Sequence, residues 1–222
     1  MILKNTICQT VAVGAALLLV GCGGGMSDNI QGSRTPITDE HPLEGKFSNI
    51  QIEIPCKFQV HAGEKPSVKI LVDDNLLEHI HTDVVDGTLK VTRCAKWKSA
   101  SVCNIDVTCP SISALSILGA ADGTIDKIDD KTFALTVSGA GDVHAAGACD
   151  NLKIIVSGAG NVNMGDVKCK TASVTMSGAG SAVVYATDAL NATISGAGSV
   201  RYKGNPSELK KQISGVGAVT AI

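Results

Sequence analysis

Along most of the chain, apolar residues recur at every second position. "FSNIQIEI" (Phe47–Ile54) sets Ile50, Ile52 and Ile54 on one side, "KFQV" sets Phe58 and Val60, and "VKILV" sets Val68, Ile70 and Val72. A period of two puts alternate side chains on opposite faces of an extended chain, so each stretch predicts a strand with one buried face. "VVDGTLKV" (Val84–Val91) carries the Asp86-Gly87 pair that suits a tight hairpin corner. Only "DDNLLEHI" (Asp73–Ile80) suggests a short helical turn.

From Pro110 the alternation is organised into a repeat. "SGAG" occurs in "VSGAGDV" (Val137–Val143), "VSGAGNV" (Val156–Val162), "MSGAGSA" (Met176–Ala182) and "ISGAGSV" (Ile194–Val200). "ISGVGAV" (Ile213–Val219) is an altered copy and "ILGAADG" (Ile117–Gly123) an eroded one. The serines Ser138, Ser157, Ser177, Ser195 and Ser214 lie about nineteen residues apart. Before each corner sits an apolar residue (Ile117, Val137, Val156, Met176, Ile194, Ile213). Two residues earlier comes a second column, Leu115, Leu135, Ile154, Val174 and Ala192, which ends at Lys211. A short period built from strands predicts an all-β fold, a single-stranded parallel β-helix (solenoid) with one coil of about nineteen residues per repeat. Six coils at about 4.8 Å would stand on the order of 29 Å tall. Glycine then marks the corners, either for positive φ or because a Cβ would obstruct stacking.

Composition sharpens this reading at the amino terminus. Lys4 followed by "VAVGAALLLV" (Val11–Val20) and "LVGC" (Leu19–Cys22) is a signal segment with a lipobox-like end, predicting cleavage before Cys22 and lipid on its thiol. The expected organisation is a signal peptide over 1–21, a lipid-anchored flexible tether over 22–46, and a β-helix domain over 47–222. That domain has N-terminal strands at 47–109, which cap or extend one end, and repeat coils at 110–222. With 19 basic and 21 acidic residues and no block of like charge, nucleic acid is not an expected partner. Export leaves Cys56, Cys94, Cys103, Cys109, Cys149 and Cys169 in an oxidising compartment. Cys149 and Cys169 each lie eight residues before a repeat serine, so they should stack in adjacent coils within reach of a disulfide. The other four allow three pairings that spacing does not rank.

Candidate chemistry is sparse. A phosphate cradle needs a helix after the glycines, and strands are predicted there. The slot after the second glycine reads Asp122, Asp142, Asn161, Ser181, Ser199 and Ala218, so a calcium ladder would fade along the column; only the vicinity of Asp142 offers a calcium site. His79, His81 and Asp83 could share a strand face, but no further ligand accompanies them and a solvated face is the simpler reading. Asn191–Thr193 matches a glycosylation acceptor inside a strand. No cofactor is expected. With only Trp97, Tyr185, Tyr202, Phe47, Phe58 and Phe133 as aromatic residues, a glycan-active enzyme lacks its usual ring platforms.

The ordered set "VSGAGDV", "VSGAGNV", "ISGAGSV", "VRYKGNPSELKKQISGVGAV" (Val200–Val219), "DNLLEHIHTDVVDGTLKV" (Asp74–Val91) and "CPSISALSILGAADG" (Cys109–Gly123) resembles the head GIN domain family, "putative auto-transporter adhesins" of Bacteroides-type exported lipoproteins. The resemblance spans Phe47–Ile222. It implies a right-handed parallel β-helix and a cell-envelope location, and supplies no catalytic residues. The expectation is a non-enzymatic lipoprotein of the outer membrane, facing the periplasm or the surface, that binds a glycan or protein through a β-helix face. The alternative is a structural or signalling envelope component, and a glycan-active β-helix enzyme comes third. Homo-oligomerisation through the short C-terminal coil is a further expectation, since an open coil offers unpaired strand edges.

Overall fold

The computed structural model describes residues 30–43 and 45–222. The expected signal peptide and Cys22 lie outside the described residues. The chain runs through β1 (Ile30–Gln31), β2 (Pro36–Pro42), β3 (Asn49–Ile52), β4 (Cys56–Ala62), β5 (Ser67–Asp73) and a helical turn α1 (Asp74–Leu77). Then come β6 (Ile80–Val85), β7 (Thr88–Arg93), β8 (Trp97–Ser99), β9 (Cys103–Cys109) and β10 (Ala114–Ile117). The repeats form β11 (Ala121–Val137), β12 (Val143–Val156), β13 (Ala159–Met176), β14 (Ala179–Ile194), β15 (Ala197–Lys203), β16 (Glu208–Ile213) and β17 (Val216–Ala221). All but the β1–β8 pair belong to one 15-stranded sheet wound into a parallel β-solenoid.

Each coil has a pre-corner segment, a post-corner segment and a return segment. The pre-corner ladder runs β7, β3, β10, β11, β12, β13, β14, β16, and the post-corner ladder β9, β4, β11, β12, β13, β14, β15, β17, all parallel. In-register stacking makes the alternation of each strand a column of the core. Leu115, Leu135, Ile154, Val174 and Ala192 stand one above another and are buried. Each large member contributes about 1.5–3 kcal/mol of burial.

The corners explain the glycines. Ala159 donates its backbone N–H to Gly139 O at 3.0 Å, and Ala179 and Ala197 repeat the bond to Gly158 O and Gly178 O. At this approach, a Cβ added to Gly158 would lie 1.7 Å from Gly139 O, and one on Gly178 would lie 1.8 Å from Gly158 O. The first glycine of the motif has negative φ at every copy, so close backbone approach, and not dihedral freedom, selects it.

The N-terminal strands both extend and cap the stack, and they do so out of chain order. β7 and β9 form the outermost parallel coil, beyond β3 and β4, although they follow them in sequence. Antiparallel strands then close this end: β6 folds back on β7, β5 lies on β9 and β2 on β5. The predicted Asp86-Gly87 corner is the β6–β7 hairpin, with positive φ at both residues (50° and 72°). "DDNLLEHI" does form a helical turn at Asp74–Leu77. The edge strand β2, "PITDEHP", carries a proline at each end and the acids Asp39 and Glu40, which discourage a further strand from pairing.

Part of the segment expected to be a tether forms strands, β1 and β2. β2 pairs with β5 along its whole length, and Gly32 donates its N–H to Ser99 O at 2.9 Å. The Arg34 backbone bonds Asp73, a buried carboxylate that also accepts the Ser101 N–H at 2.8 Å and the Ser101 hydroxyl. Asn75 adds a bond from Nδ2 to Gln31 O and accepts the Ser33 N–H, both at 2.9 Å. The opposite end of the stack is finished by Lys211. In the last coil this lysine occupies the leucine–valine column, donates to Val219 O at 2.8 Å and lies 5.7 Å from the Tyr202 ring centroid. An inward charge opposes the addition of another coil, while Leu209, Ile213 and Val216 of the same coil stay exposed.

Gly158→Ala should lower stability by about 2–3 kcal/mol in chemical denaturation, because a backbone oxygen must move. Ser157→Ala, at the exposed neighbouring position, should change it by less than about 0.5 kcal/mol. The hydroxyl and N–H of Ser101, aided by Arg34, hold the Asp73 carboxyl below its ordinary value of 3.8. Its stabilisation is therefore present above that value and is lost as pH falls through the lower folded value. Asp73→Asn should cost about 2 kcal/mol at neutral pH and should flatten the decline of stability below about pH 4 seen in the parent chain.

Candidate binding face

Because the coils stack in register, residues between the buried positions also form columns, on the outside. On the post-corner sheet one such column contains Asn104, Lys57, Asp122, Asp142, Asn161 and Ser181, and its neighbour contains Asp106, Gln59, Thr124, His144 and Asn163. A groove of about 510 Å³ lies between them, lined by Lys57, Gln59, Asn104, Asp106, Asp122, Thr124, Asp142 and His144. At its rim His61 Nδ1 pairs with Asp126 across one coil.

The acidic slot after the second glycine has a structural task. Asp122 Oδ1 accepts the Asp142 N–H at 2.8 Å, and Asp142 Oδ1 accepts both the N–H and Nδ2 of Asn161 at 2.9 Å. Ser181 Oγ then donates to Asn161 Oδ1 at 2.8 Å. Each side chain thus ties its coil to the next where a strand begins, a task that Asp, Asn and Ser all perform. Among the described residues, no three His, Cys, Asp or Glu side chains gather closely enough to hold a metal ion.

A second groove, of about 640 Å³, lies on the return sheet beside Asp130, Lys131, Asp150, Lys168 and Lys170. Lys170 Nζ lies 2.8 Å from Asp150 Oδ1. Its hydrogen bond and charge hold the Asp150 carboxyl below the usual range and raise the ammonium in return. Under this groove Cys149 and Cys169 stand directly opposite each other in adjacent coils, as their common offset from the serines predicts. Cys169 Sγ donates to Tyr185 O at 2.8 Å. Hydrogen bonding between the two sulfurs lowers Cys149 and pushes Cys169 far up. The described cysteines are thiols in this structure.

The other residues singled out from sequence are dispersed. His81 and Asp83 point outward on β6, whereas His79 precedes the strand and sets its Nδ1 3.6 Å from Cys94 Sγ. Asn191–Thr193 lies within β14. Phe47, Phe58 and Phe133 are buried, Trp97 packs under Arg93 at 5.3 Å, and Tyr202 sits beneath Lys211. Sequence reasoning did not identify Lys57, Gln59, Asn104, Asp106 and His144 as one surface. They come from strands whose stacking order is not their chain order, so no spacing relates them.

A family model described as "putative auto-transporter adhesin, head GIN domain" matches residues 46–206. A Bacteroides fragilis protein described as a "putative adhesin" shares the fold with a TM-score of 0.73 at 21% identity, over 87% of this chain and 100% of that one. A "putative adhesin" of Parabacteroides distasonis gives 0.54 at 17%, over 88% and 100%. A "putative lipid binding protein" of the same species gives 0.53 at 21%, over 87% and 99%. At these identities the likeness establishes the solenoid architecture. No curated protein matches the chain.

Proposed function

Since the chain belongs to the head GIN domain family, described as "putative auto-transporter adhesins", we propose that it is a non-enzymatic cell-envelope lipoprotein that binds a glycan or protein through the outer post-corner sheet. The observation that carries this reading is the groove in which Lys57, Gln59, Asn104, Asp106, Thr124 and His144 set donors and acceptors side by side on a rigid sheet. Such a surface suits a hydroxyl-rich or polar partner that is bound by hydrogen bonds and not by ring stacking. In this reading residues 1–21 are the signal peptide, Cys22 carries the lipid to the outer membrane, the residues after it bridge to the docked strand β2, and the solenoid is right-handed as in the family. A structural or signalling role at the periplasmic face is the second reading. "GGGMSDN" after Cys22 lacks a dense acidic run, so it gives no strong signal for surface export. Protease shaving of intact cells separates the two.

The chain presented to an array of glycans and of envelope or host proteins should bind a restricted set of them. Lys57→Ala, Asp106→Ala and His144→Ala together should weaken that binding at least about tenfold, or 1.4 kcal/mol, with the unfolding midpoint unchanged. Undiminished binding would remove this face from consideration. In an oxidising envelope Cys149 and Cys169 should be joined. Reduction of that bridge, which closes a loop of about twenty residues, should cost about 3 kcal/mol of stability, and Cys149→Ser should abolish that loss. Peptide mapping that recovers both as free thiols from the envelope would refute the bridge.

A further inference from the structure

One column of the corner departs from the glycine rule in a graded way. At the second glycine of the motif the stacked positions read Gly198, Gly180, Gly160 and Gly141, followed by Ala121 and Cys56 toward the capped end. Beyond Cys56 comes the out-of-order coil. Lys57 is paired with Asn104, so the residue before each, Cys56 and Cys103, continues the same register. Cys56 shares its side of the strand with buried Phe58 and Val60, and Cys103 shares its side with buried Ile105 and Val107. Both side chains therefore point to the same side of neighbouring parallel strands. At a strand spacing of about 4.8 Å their Cα atoms fall inside the disulfide window of about 4.4–6.8 Å.

The other cysteines fit these positions poorly. Cys109 ends the strand that Cys103 begins, about 20 Å further along, and stands opposite Ala62. Cys94 is exposed and faces His79. We propose that Cys56 and Cys103 form a disulfide that fastens the out-of-order terminal coil to the coil it covers, leaving Cys94 and Cys109 as thiols. Cys56–Cys103 is one bridge of one of the three pairings the sequence leaves open for these four cysteines, and the register of β4 and β9 selects it without its Cys94–Cys109 companion.

The bridge forms by exchange with a disulfide co-reactant, from a small molecule or an oxidase. One thiolate attacks the co-reactant to give a mixed disulfide and releases one thiol. The second cysteine then displaces the other, so one S–S bond forms, the co-reactant is reduced to two thiols, and the two cysteine protons end on its sulfurs. Burial pushes the Cys103 thiol up to about 12 and Cys56 higher still. Both are thus held protonated once β9 has docked, and exchange proceeds while the terminal coil is open. The bridge closes a loop of about fifty residues, which carries the whole antiparallel cap except β2.

In cells the proposal rests on the exported reading above, and two samples keep the two apart. The full chain is refolded in mixed reduced and oxidised glutathione, and chain from intact cells is alkylated before lysis; both are digested without reduction and mapped. A Cys56–Cys103 peptide in both samples supports the pair and export together. The peptide in the refolded sample alone supports the pair and counts against export. Free Cys56 and Cys103 in the refolded sample, or either one joined to Cys94 or Cys109, overturns the pair. In a Cys149→Ser background, adding a reductant to the oxidised chain should lower the folded-to-unfolded ratio roughly 1,000-fold. The same addition should have no effect once Cys56→Ser is also present. An unchanged ratio in the Cys149→Ser background would equally overturn the pair.

Discussion

The architecture depends on how closely one corner can lie on the next. Ala159 reaches Gly139 O at 3.0 Å only because Gly158 has no side chain, and the same contact recurs at Gly178 and Gly196. This backbone contact sets the vertical register of each coil. A β-strand slipped by one residue would exchange its faces, so the corner also decides which side chains form the core. Leu135, Ile154 and Val174 align because the corners beside them align. The outward columns follow from the same constraint. A groove lined by Asp106, Gln59, Thr124 and His144 needs four strands from distant parts of the chain to share one register, and the stack provides it.

A stack of this kind must also end, and its two ends are finished by different physical means. At one end the chain leaves the solenoid after β4, builds a further coil beyond β3 and β4, and covers it with antiparallel strands anchored by Asp73. At the other end the core column of the described residues closes with Lys211, whose ammonium is satisfied by Val219 O and the Tyr202 ring. The capped end carries the groove, the His61–Asp126 pair and the column in which glycine gives way to cysteine. The regular coils above it serve as a rigid support.

Much of this was legible in the chain. The period of about nineteen, the alternation around Leu135 and Ile154, the Asp86-Gly87 hairpin and the vertical pairing of Cys149 with Cys169 follow from local pattern and a fixed repeat. The role of glycine was only half legible, because a sequence shows that a Cβ is absent without showing what would meet it. The order of the terminal coils was not legible. Alternation marks β3, β4, β7 and β9 as strands, but nothing in it says that β9 stacks outside β4, so the neighbours Lys57, Asn104 and Asp122 stayed unrelated. The strands β1 and β2 were not legible for a similar reason: the polar composition of the stretch before Leu43 does not show that Pro36–Pro42 pairs with β5, whose residues lie far away in the chain.

The central claim is that "SGAG" is a coil-to-coil backbone contact and not a ligand loop. Amide hydrogen exchange at Ala140, Ala159, Ala179 and Ala197 tests it most directly, since these exposed residues donate to Gly119, Gly139, Gly158 and Gly178. The account predicts protection close to that of the core amide of Ile154, opening only with global unfolding. Exchange at the rate of a free surface loop, without added ligand, would contradict it.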